Sequence, residues 1–394
     1  MEMLNTNDFP RAEWLQAKEV LMHTPGEEIF DGVIHSAAGL FEDYFDVDQA
    51  AAEHRHYMDV LSDHGICIHT VDGILQEVDL DSLRSLAEDV LAYDISGIPG
   101  EDPARTEDFR EETISKMSRT DLIRCILLRP TVKLFRTSGN TGYEAKYILN
   151  PLMNLYFTRD QSVTTPRGHV ICHMNSSQRA AETSVIALCY NYLGRKPILR
   201  IEGEGRLEGG DYIPAGDVAF IGCGMRTNDE GIRQMMQADA FGHDTVAVVR
   251  DRKLRQAQMH LDTWFNIIDR DLCAMARSRM EALPSDAGFI TCDIWTRWPG
   301  TVDYFPARKD VPFVDYLREI GMEIIPIEYD DEKRYASNFL TVAPRRVIAV
   351  AGQSAGFGNS LEKAGVRVEW IRLDNLIRGF GAAHCMTQVI KRSI

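Results

Sequence analysis

The chain has 394 residues, 44% hydrophobic and 26% charged, with 29 Gly and 15 Pro, a globular balance that excludes a disordered chain, a collagen-like repeat and a small disulfide-stapled fold. With 59 acidic against 43 basic residues its net charge is -16, which repels nucleic acid and anionic membranes, so an anion would have to be met by a local basic pocket. Eight scattered cysteines without CxxC spacing, a polar start and no long apolar run predict free thiols in a soluble, cytoplasmic protein with no membrane span.

In chain order, Glu19-Val20-Leu21-Met22 reads as a strand, 50–61 as a helix and Gly65-Ile66-Cys67-Ile68 as the next strand. Residues 74–128 break this plan. Leu80, Leu83, Leu86, Ala87 and Val90 recur at helical spacing behind Asp79 or Asp81, either of which could act as cap. Ile98-Pro99-Gly100 makes a loop, and 106–117 and 118–128 read as two more helices, the last capped by Ser118. A small helical bundle inserted into a repeating body is expected. The plan then resumes: strand 169–172, a turn at Asn175-Ser176-Ser177, a helix through Glu182 and a strand at 197–201. A third copy runs from strand 217–221 through a helix capped around Thr227-Asn228-Asp229-Glu230 to strand 245–249. A lone strand is predicted at 288–291. The last copy joins 346–350, a helix opened by Gly358-Asn359-Ser360, and 366–370. Such recurrence predicts a ring of similar α/β modules. Periodicity leaves a doubly wound parallel sheet open as the competitor.

Four polar strings stand close to predicted strand ends: Asn154-Leu155-Tyr156-Phe157-Thr158-Arg159-Asp160, Glu208-Gly209-Gly210-Asp211, Met259-His260-Leu261-Asp262-Thr263, and Gly379-Phe380-Gly381-Ala382-Ala383-His384-Cys385-Met386. The Gly pair permits tight backbone geometry beside a ligand. An extended backbone would put His260 and Asp262 on one face, and the small-residue loop before Cys385 would leave its sulfur accessible. Singly, each string is unspecific, since a lone cysteine is more often inert core and Glu-Gly-Gly-Asp is usually a turn. Gly222-Cys223-Gly224 and Gly203-Glu204-Gly205 do not complete a dinucleotide fingerprint. Cys172-His173 and Cys67-x-His69 lack the further ligands a zinc site needs.

In that order, and together with Met22-His23-Thr24-Pro25-Gly26-Glu27-Glu28, the strings resemble the arginine deiminases of the guanidino-group-modifying superfamily, along almost the whole chain. The resemblance implies a five-bladed α/β propeller of pseudo-symmetric ββαβ modules with the helical insert. It divides the chain into first module(s) over 1–73, the insert over 74–128, and the remaining modules with a catalytic C-terminal loop over 129–394, one catalytic domain in all. It implies hydrolysis of L-arginine to L-citrulline and ammonia, with no cofactor and no metal. The expected partner is a small guanidino substrate, not nucleic acid or membrane, and a homo-oligomer stays open.

On this resemblance Asp160 and Asp262 hold the planar guanidinium through charge-assisted hydrogen bonds. Cys385 attacks its carbon as thiolate and His260 is the acid and base. Glu208 bonds the guanidino group or orients His260. Arg179, Arg226 and Asn154 match the family's contacts to the α-carboxylate end, which favours arginine over agmatine. The chain departs from the family in the 30–39 loop, which lacks Leu-Thr-Pro-x-Asn, at Phe380, where some members carry a second Arg, and after Met386, where no Pro follows. Amidino transfer, hydrolysis of a related guanidino compound and a non-catalytic guanidino-binding protein are the alternatives. A cysteine protease is disfavoured by the sequence around Cys385.

Overall fold

The computed structural model describes residues 10–139, 141–298 and 300–393. It shows a mixed α/β fold in which five sheets repeat one pairing pattern. In each, a middle strand pairs antiparallel with its hairpin partner and parallel with a third strand reached after a helical crossover. The hairpins are Ser162–Thr165 with Gly168–Ile171, Tyr212–Ala215 with Val218–Cys223, Phe265–Asp269 with Leu272–Ala276, and Leu340–Ala343 with Arg346–Val350. The fifth is shared by the chain's two ends: Gln388–Ser393 lies antiparallel to Gln16–Met22, which in turn pairs parallel with Cys67–Thr70. The middle strands are runs such as Val218–Cys223 and Arg346–Val350, mostly buried, as parallel pairing under a covering helix requires.

The crossover helices begin where short polar side chains satisfy their first free N–H groups. Asp46 accepts from Gln49 N ahead of Val47–Asp63, and Asn228 from Gly231 N ahead of Asp229–Gln237. The last helix, Ala355–Lys363, starts earlier than Gly358-Asn359-Ser360 suggests, because Ser354 takes the capping role and accepts from Phe357 N.

The segment after residue 74 contains the expected helices Leu80–Glu88, Pro103–Lys116 and Arg119–Leu128, capped by Asp79, Asp102 and Ser118. It is more than a bundle, however. Ala92–Gly97, Thr131–Arg136 and Tyr143–Ile148 form a separate three-stranded sheet, and their half-exposed, charge-bearing strands carry no apolar run to announce them. The strand expected at 288–291 begins only at Thr291; Thr291–Arg297 and Tyr304–Pro312 extend the sheet of Val218–Cys223 to five strands. No sheet is the single large parallel layer of a doubly wound fold. Among the described residues, no helix is long and apolar enough to cross a membrane.

One feature of the chain order positions the site. The loop leading into the first strand of each hairpin carries a polar side chain two to four residues ahead of that strand. Asp160 precedes Ser162–Thr165, Glu208 precedes Tyr212–Ala215, Asn338 precedes Leu340–Ala343, and Cys385 precedes Gln388–Ser393. His260 and Asp262 stand slightly further ahead of Phe265–Asp269 or within that range.

Candidate active site

These five loops meet in one buried cluster. Glu208 is held by Asn175 N, which donates to its Oε1 at 2.9 Å, leaving Oε2 at 2.8 Å from His260 Nε2. The other ring nitrogen, Nδ1, lies 3.6 Å from Asp160 Oδ1. Gly209 and Gly210 make this approach feasible. A Cβ at Gly209 would meet Arg159 O at 1.9 Å, and one at Gly210 would meet His260 Nδ1 at 2.7 Å. Asp211 closes the same turn, its Oδ1 accepting from Leu261 N at 3.0 Å.

Burial opposes the charge on His260, but Asp160 and the Glu208 hydrogen bond outweigh it and raise the pKa to about 9. Burial likewise opposes ionisation of Glu208, yet the His260 bond, and then the His260, Arg226 and Arg179 charges, bring it down to about 2. The pair is therefore an imidazolium and a carboxylate at neutral pH.

His260 and Asp262 do not share one extended face. The backbone is extended at His260 but turns through a 3-10 segment at Leu261–Thr263, so Asp262 looks elsewhere. Its Oδ2 is 2.7 Å from His384 Nδ1 and accepts from the Cys385 thiol at 3.5 Å. Burial raises the Asp262 pKa, but the His384 hydrogen bond and charge prevail and lower it. His384 is backed in turn by Glu13 and Arg159, at 3.0 and 2.6 Å from its Nε2. Both aspartates keep one buried oxygen, Asp160 Oδ1 and Asp262 Oδ1, with no hydrogen-bond partner.

Cys385 is only 3% exposed; its loop leaves it lining a cavity rather than open to solvent. Burial, then the Asp262 and Asp160 charges, push its thiol well above the ordinary range. Asn338 works in the opposite sense. Its Nδ2 donates to Cys385 Sγ at 3.0 Å, while its Oδ1 accepts from Ala382 N and Cys385 N at 2.9 and 3.1 Å.

The cavity is also lined by Asn154, Arg179 and Arg226, and by Leu40 and Phe380. Leu40 and Phe380 are both in the left-handed region, at φ 62° and 67°, a strained conformation for bulky residues that recurs where loops close over ligands. Arg179 is engaged within the protein: Nη1 donates to Asp160 Oδ2 at 2.7 Å, Nε and Nη2 to Glu182, and Nη2 to Asn154 O. The resemblance assigns Arg179 to the substrate's α-carboxylate end; here its donors are taken up by Asp160, Glu182 and Asn154. Arg226 Nη2 donates to Gln256 Oε1 at 3.0 Å and its Nε is buried without a partner. Asn154 donates to Gly39 O and its Oδ1 is unpaired.

As for metals, Asp160, Glu208 and His260 offer ligand atoms within 4.8 Å of one another. The His260 atom nearest Glu208 is already hydrogen-bonded to it, and Arg179 donates to Asp160, an arrangement that suits a bound N–H fork better than a cation coordinated by bare donors.

A family model described as arginine deiminase matches residues 38–392. The chain belongs to the arginine deiminase family. Among its relatives are the arginine deiminases of Halobacterium salinarum, 25% identical with 97% of this chain and 96% of that protein covered, and of Mycobacterium marinum, 27% identical with 95% and 96% covered. Similar solved structures include the N-terminal domain of ArgZ, a cyanobacterial arginine dihydrolase bound to product, at TM-score 0.58 and 13% identity, covering 95% of this chain and 98% of that one. Another is a mutant of DDAH from Pseudomonas aeruginosa complexed with citrulline, at TM-score 0.56 and 18% identity, covering 95% and 99%. At these identities the structural likeness speaks for the fold.

Cys385, His260, Glu208, Asp160 and Asp262 thus come together in space, and Asn154, Arg179 and Arg226 line the same cavity. Sequence reasoning passed over Asn338, Gln256 and Glu13. Asn338 stands two residues before a hairpin strand, as Asp160 does, but that strand is not among those predicted from the sequence. Gln256 and Glu13 had no signal either.

Proposed function

We propose that the protein hydrolyses L-arginine to L-citrulline and ammonia through a covalent S-alkylthiouronium intermediate on Cys385. The observation that carries this reading is the pair of buried carboxylates, Asp160 and Asp262, each with an oxygen lacking a partner, beside a cysteine thiol. An unpaired buried carboxylate oxygen is costly, and a planar guanidinium supplies both oxygens with N–H donors and sets one positive charge between the two negative ones.

Binding of the cation relieves the two negative charges that disfavour the thiolate, so Cys385 ionises with substrate in place and its proton leaves for solvent. The sulfur lone pair attacks the guanidinium carbon. His260, protonated below about pH 9, donates to the departing nitrogen, the C–N bond breaks and ammonia leaves. The neutral imidazole then takes a proton from water as its oxygen attacks the thiouronium carbon. The adduct's hydroxyl gives up its proton to solvent as the carbonyl forms, the C–S bond breaks, and citrulline departs from a restored thiolate. Glu208 keeps His260 oriented through both steps, and Arg226 meets the α-carboxylate.

The five hairpin units, with the first and last strands of the chain paired, support a five-bladed propeller of ββαβ modules acting as one catalytic domain around the insert at 74–128. The eight unpaired cysteines support a reducing, cytoplasmic setting.

The test is citrulline and ammonia release from L-arginine by wild type and Cys385→Ala, with agmatine in parallel. Turnover is expected from wild type alone, and with arginine preferred. A folded wild-type protein that left arginine untouched would overturn the reading.

A further inference from the structure

Within the reading of this site as a guanidino hydrolase, the cavity contains two arginines, and they are in different electrostatic situations. Arg179 spends its donors on Glu182, Asp160 and the Asn154 carbonyl. It is the strut that fixes Asp160 Oδ2, leaving Asp160 Oδ1 for the guanidinium. Arg226 is only 5% exposed, yet its Nε has no partner. Its Nη1 lies 3.8 Å from Glu208 Oε1, beyond hydrogen-bond range. A buried guanidinium with an idle N–H is a site for an oxygen anion.

What keeps Arg226 in this state is Gln256. Its amide oxygen accepts from Arg226 Nη2 at 3.0 Å, and its amide nitrogen is 3.5 Å from the sulfur of Met259, the residue before His260. The polarity matters: Arg226 has only donors, so the group facing it must be the amide oxygen, and an uncharged oxygen positions the cation without neutralising it. The nearest charged alternative is Glu208, which already accepts from Asn175 N and pairs with His260. Released from Gln256, Arg226 would lose the orientation that turns its idle donor toward the cavity.

We propose that Gln256 is a specificity-determining residue, which holds Arg226 as the reader of the substrate's α-carboxylate while Arg179 serves Asp160. The substrate class that follows is a guanidino compound bearing a carboxylate at the end remote from the guanidinium. Gln256 acts through Arg226 and touches no reacting atom, so it belongs to the choice of substrate and not to the bond-breaking steps.

The test separates binding from turnover. Calorimetric titration of Cys385→Ser protein with L-arginine and with agmatine is compared with the same titrations of Cys385→Ser carrying Gln256→Leu or Gln256→Glu. Loss of one hydrogen bond to a charged group predicts arginine binding weakened about tenfold by Gln256→Leu, with agmatine affinity changed by less than about twofold. Gln256→Glu, which places a fixed carboxylate on Arg226, weakens arginine further and leaves agmatine level or tighter. In the enzyme with Cys385 restored, the arginine loss falls on KM rather than kcat. An equal loss of both ligands, or unchanged arginine affinity in both variants, overturns the proposal. Wild type that releases no citrulline while Cys385→Ser still shows this ligand pattern defeats the hydrolytic reading and leaves the assignment of Gln256 standing.

Discussion

At the scale of single residues the nucleophile is the point of tension. Burial and two flanking aspartates hold the Cys385 thiol well above its ordinary range, so the free enzyme carries a protonated sulfur. Among side chains Asn338 favours the thiolate, through the 3.0 Å bond from its Nδ2, and the Ala382 backbone N–H acts in the same sense. Asn338→Asp keeps the oxygen that accepts from Ala382 N and Cys385 N and exchanges only the donor for an anion. Alkylation of Cys385 by iodoacetamide, followed by mass spectrometry of its peptide, should therefore need higher pH in Asn338→Asp than in wild type. Its kcat should fall about a hundredfold, since a donor to the thiolate becomes a repelling charge. Superimposable pH profiles would remove Asn338 from the account. Cys385, His260 and the two aspartates were legible because their strings, unspecific singly, stand together in one order along the chain. Asn338 was not, since Ser337-Asn338-Phe339 is an ordinary loop sequence whose importance depends on a sulfur 47 positions away.

At the scale of elements, the turn after Glu208 and the turn around His260 form one unit, joined by the Glu208–His260 pair and by Leu261 N donating to Asp211. The joint has a defined pH window. His260 rises from 6.5 to about 9, so its contribution to stability is complete below pH 6.5 and lost as pH climbs through 9. Glu208 drops from 4.5 to about 2, so its contribution is complete above pH 4.5 and lost as pH falls through 2. Both are whole only between these unfolded values. The Tm gap between wild type and Glu208→Gln should be widest from pH 4.5 to 6.5 and narrow on the alkaline side. Asp211, raised to about 6 by burial and also by the Glu208 charge, is common to both proteins, so only its Glu208-dependent part enters the difference. A gap that stays constant up to pH 10, about one unit beyond the folded His260 value, would contradict the pairing. The sequence announced both turns, but its alternation misled about the second: a 3-10 turn, invisible to period-two patterning, separates the directions of His260 and Asp262.

At the scale of the whole molecule, four of the five repeated units were legible as strand–helix–strand runs. The unit containing Phe265–Asp269 and Leu272–Ala276 was hidden. Its middle strand is Leu-Cys-Ala-Met-Ala, without a β-branched residue, and a hairpin that leaves for the neighbouring sheet interrupts its crossover before Glu323–Ile327. The pairing of the chain's two ends was hidden as well, because no local pattern reports a partner some 370 residues distant. That pairing is fastened by Arg392, which is 1% exposed. Its Nη1 donates to Leu15 O and Thr341 O at 2.6 and 2.7 Å, and its Nη2 to Glu13 Oε1 at 3.0 Å. One side chain thus ties the last strand to the first and to the neighbouring unit. Burial alone would disfavour the Glu13 charge, and Arg159, Arg392 and His384 overcome it and hold the carboxyl well below its usual range. Removing Arg392 strands two carbonyls and leaves Glu13 leaning on Arg159 alone among the arginines. Breaking a buried pair from one side costs about 3–5 kcal/mol, so Arg392→Met should lower the urea midpoint substantially. The double variant Arg392→Met, Glu13→Gln should recover part of that loss, because the uncompensated charge goes with the second change. A double variant no more stable than the single one would mean that the carbonyl bonds, not the ion pair, join the termini. In either case the effect should reach catalysis, since the strand that Arg392 fastens begins three residues after Cys385.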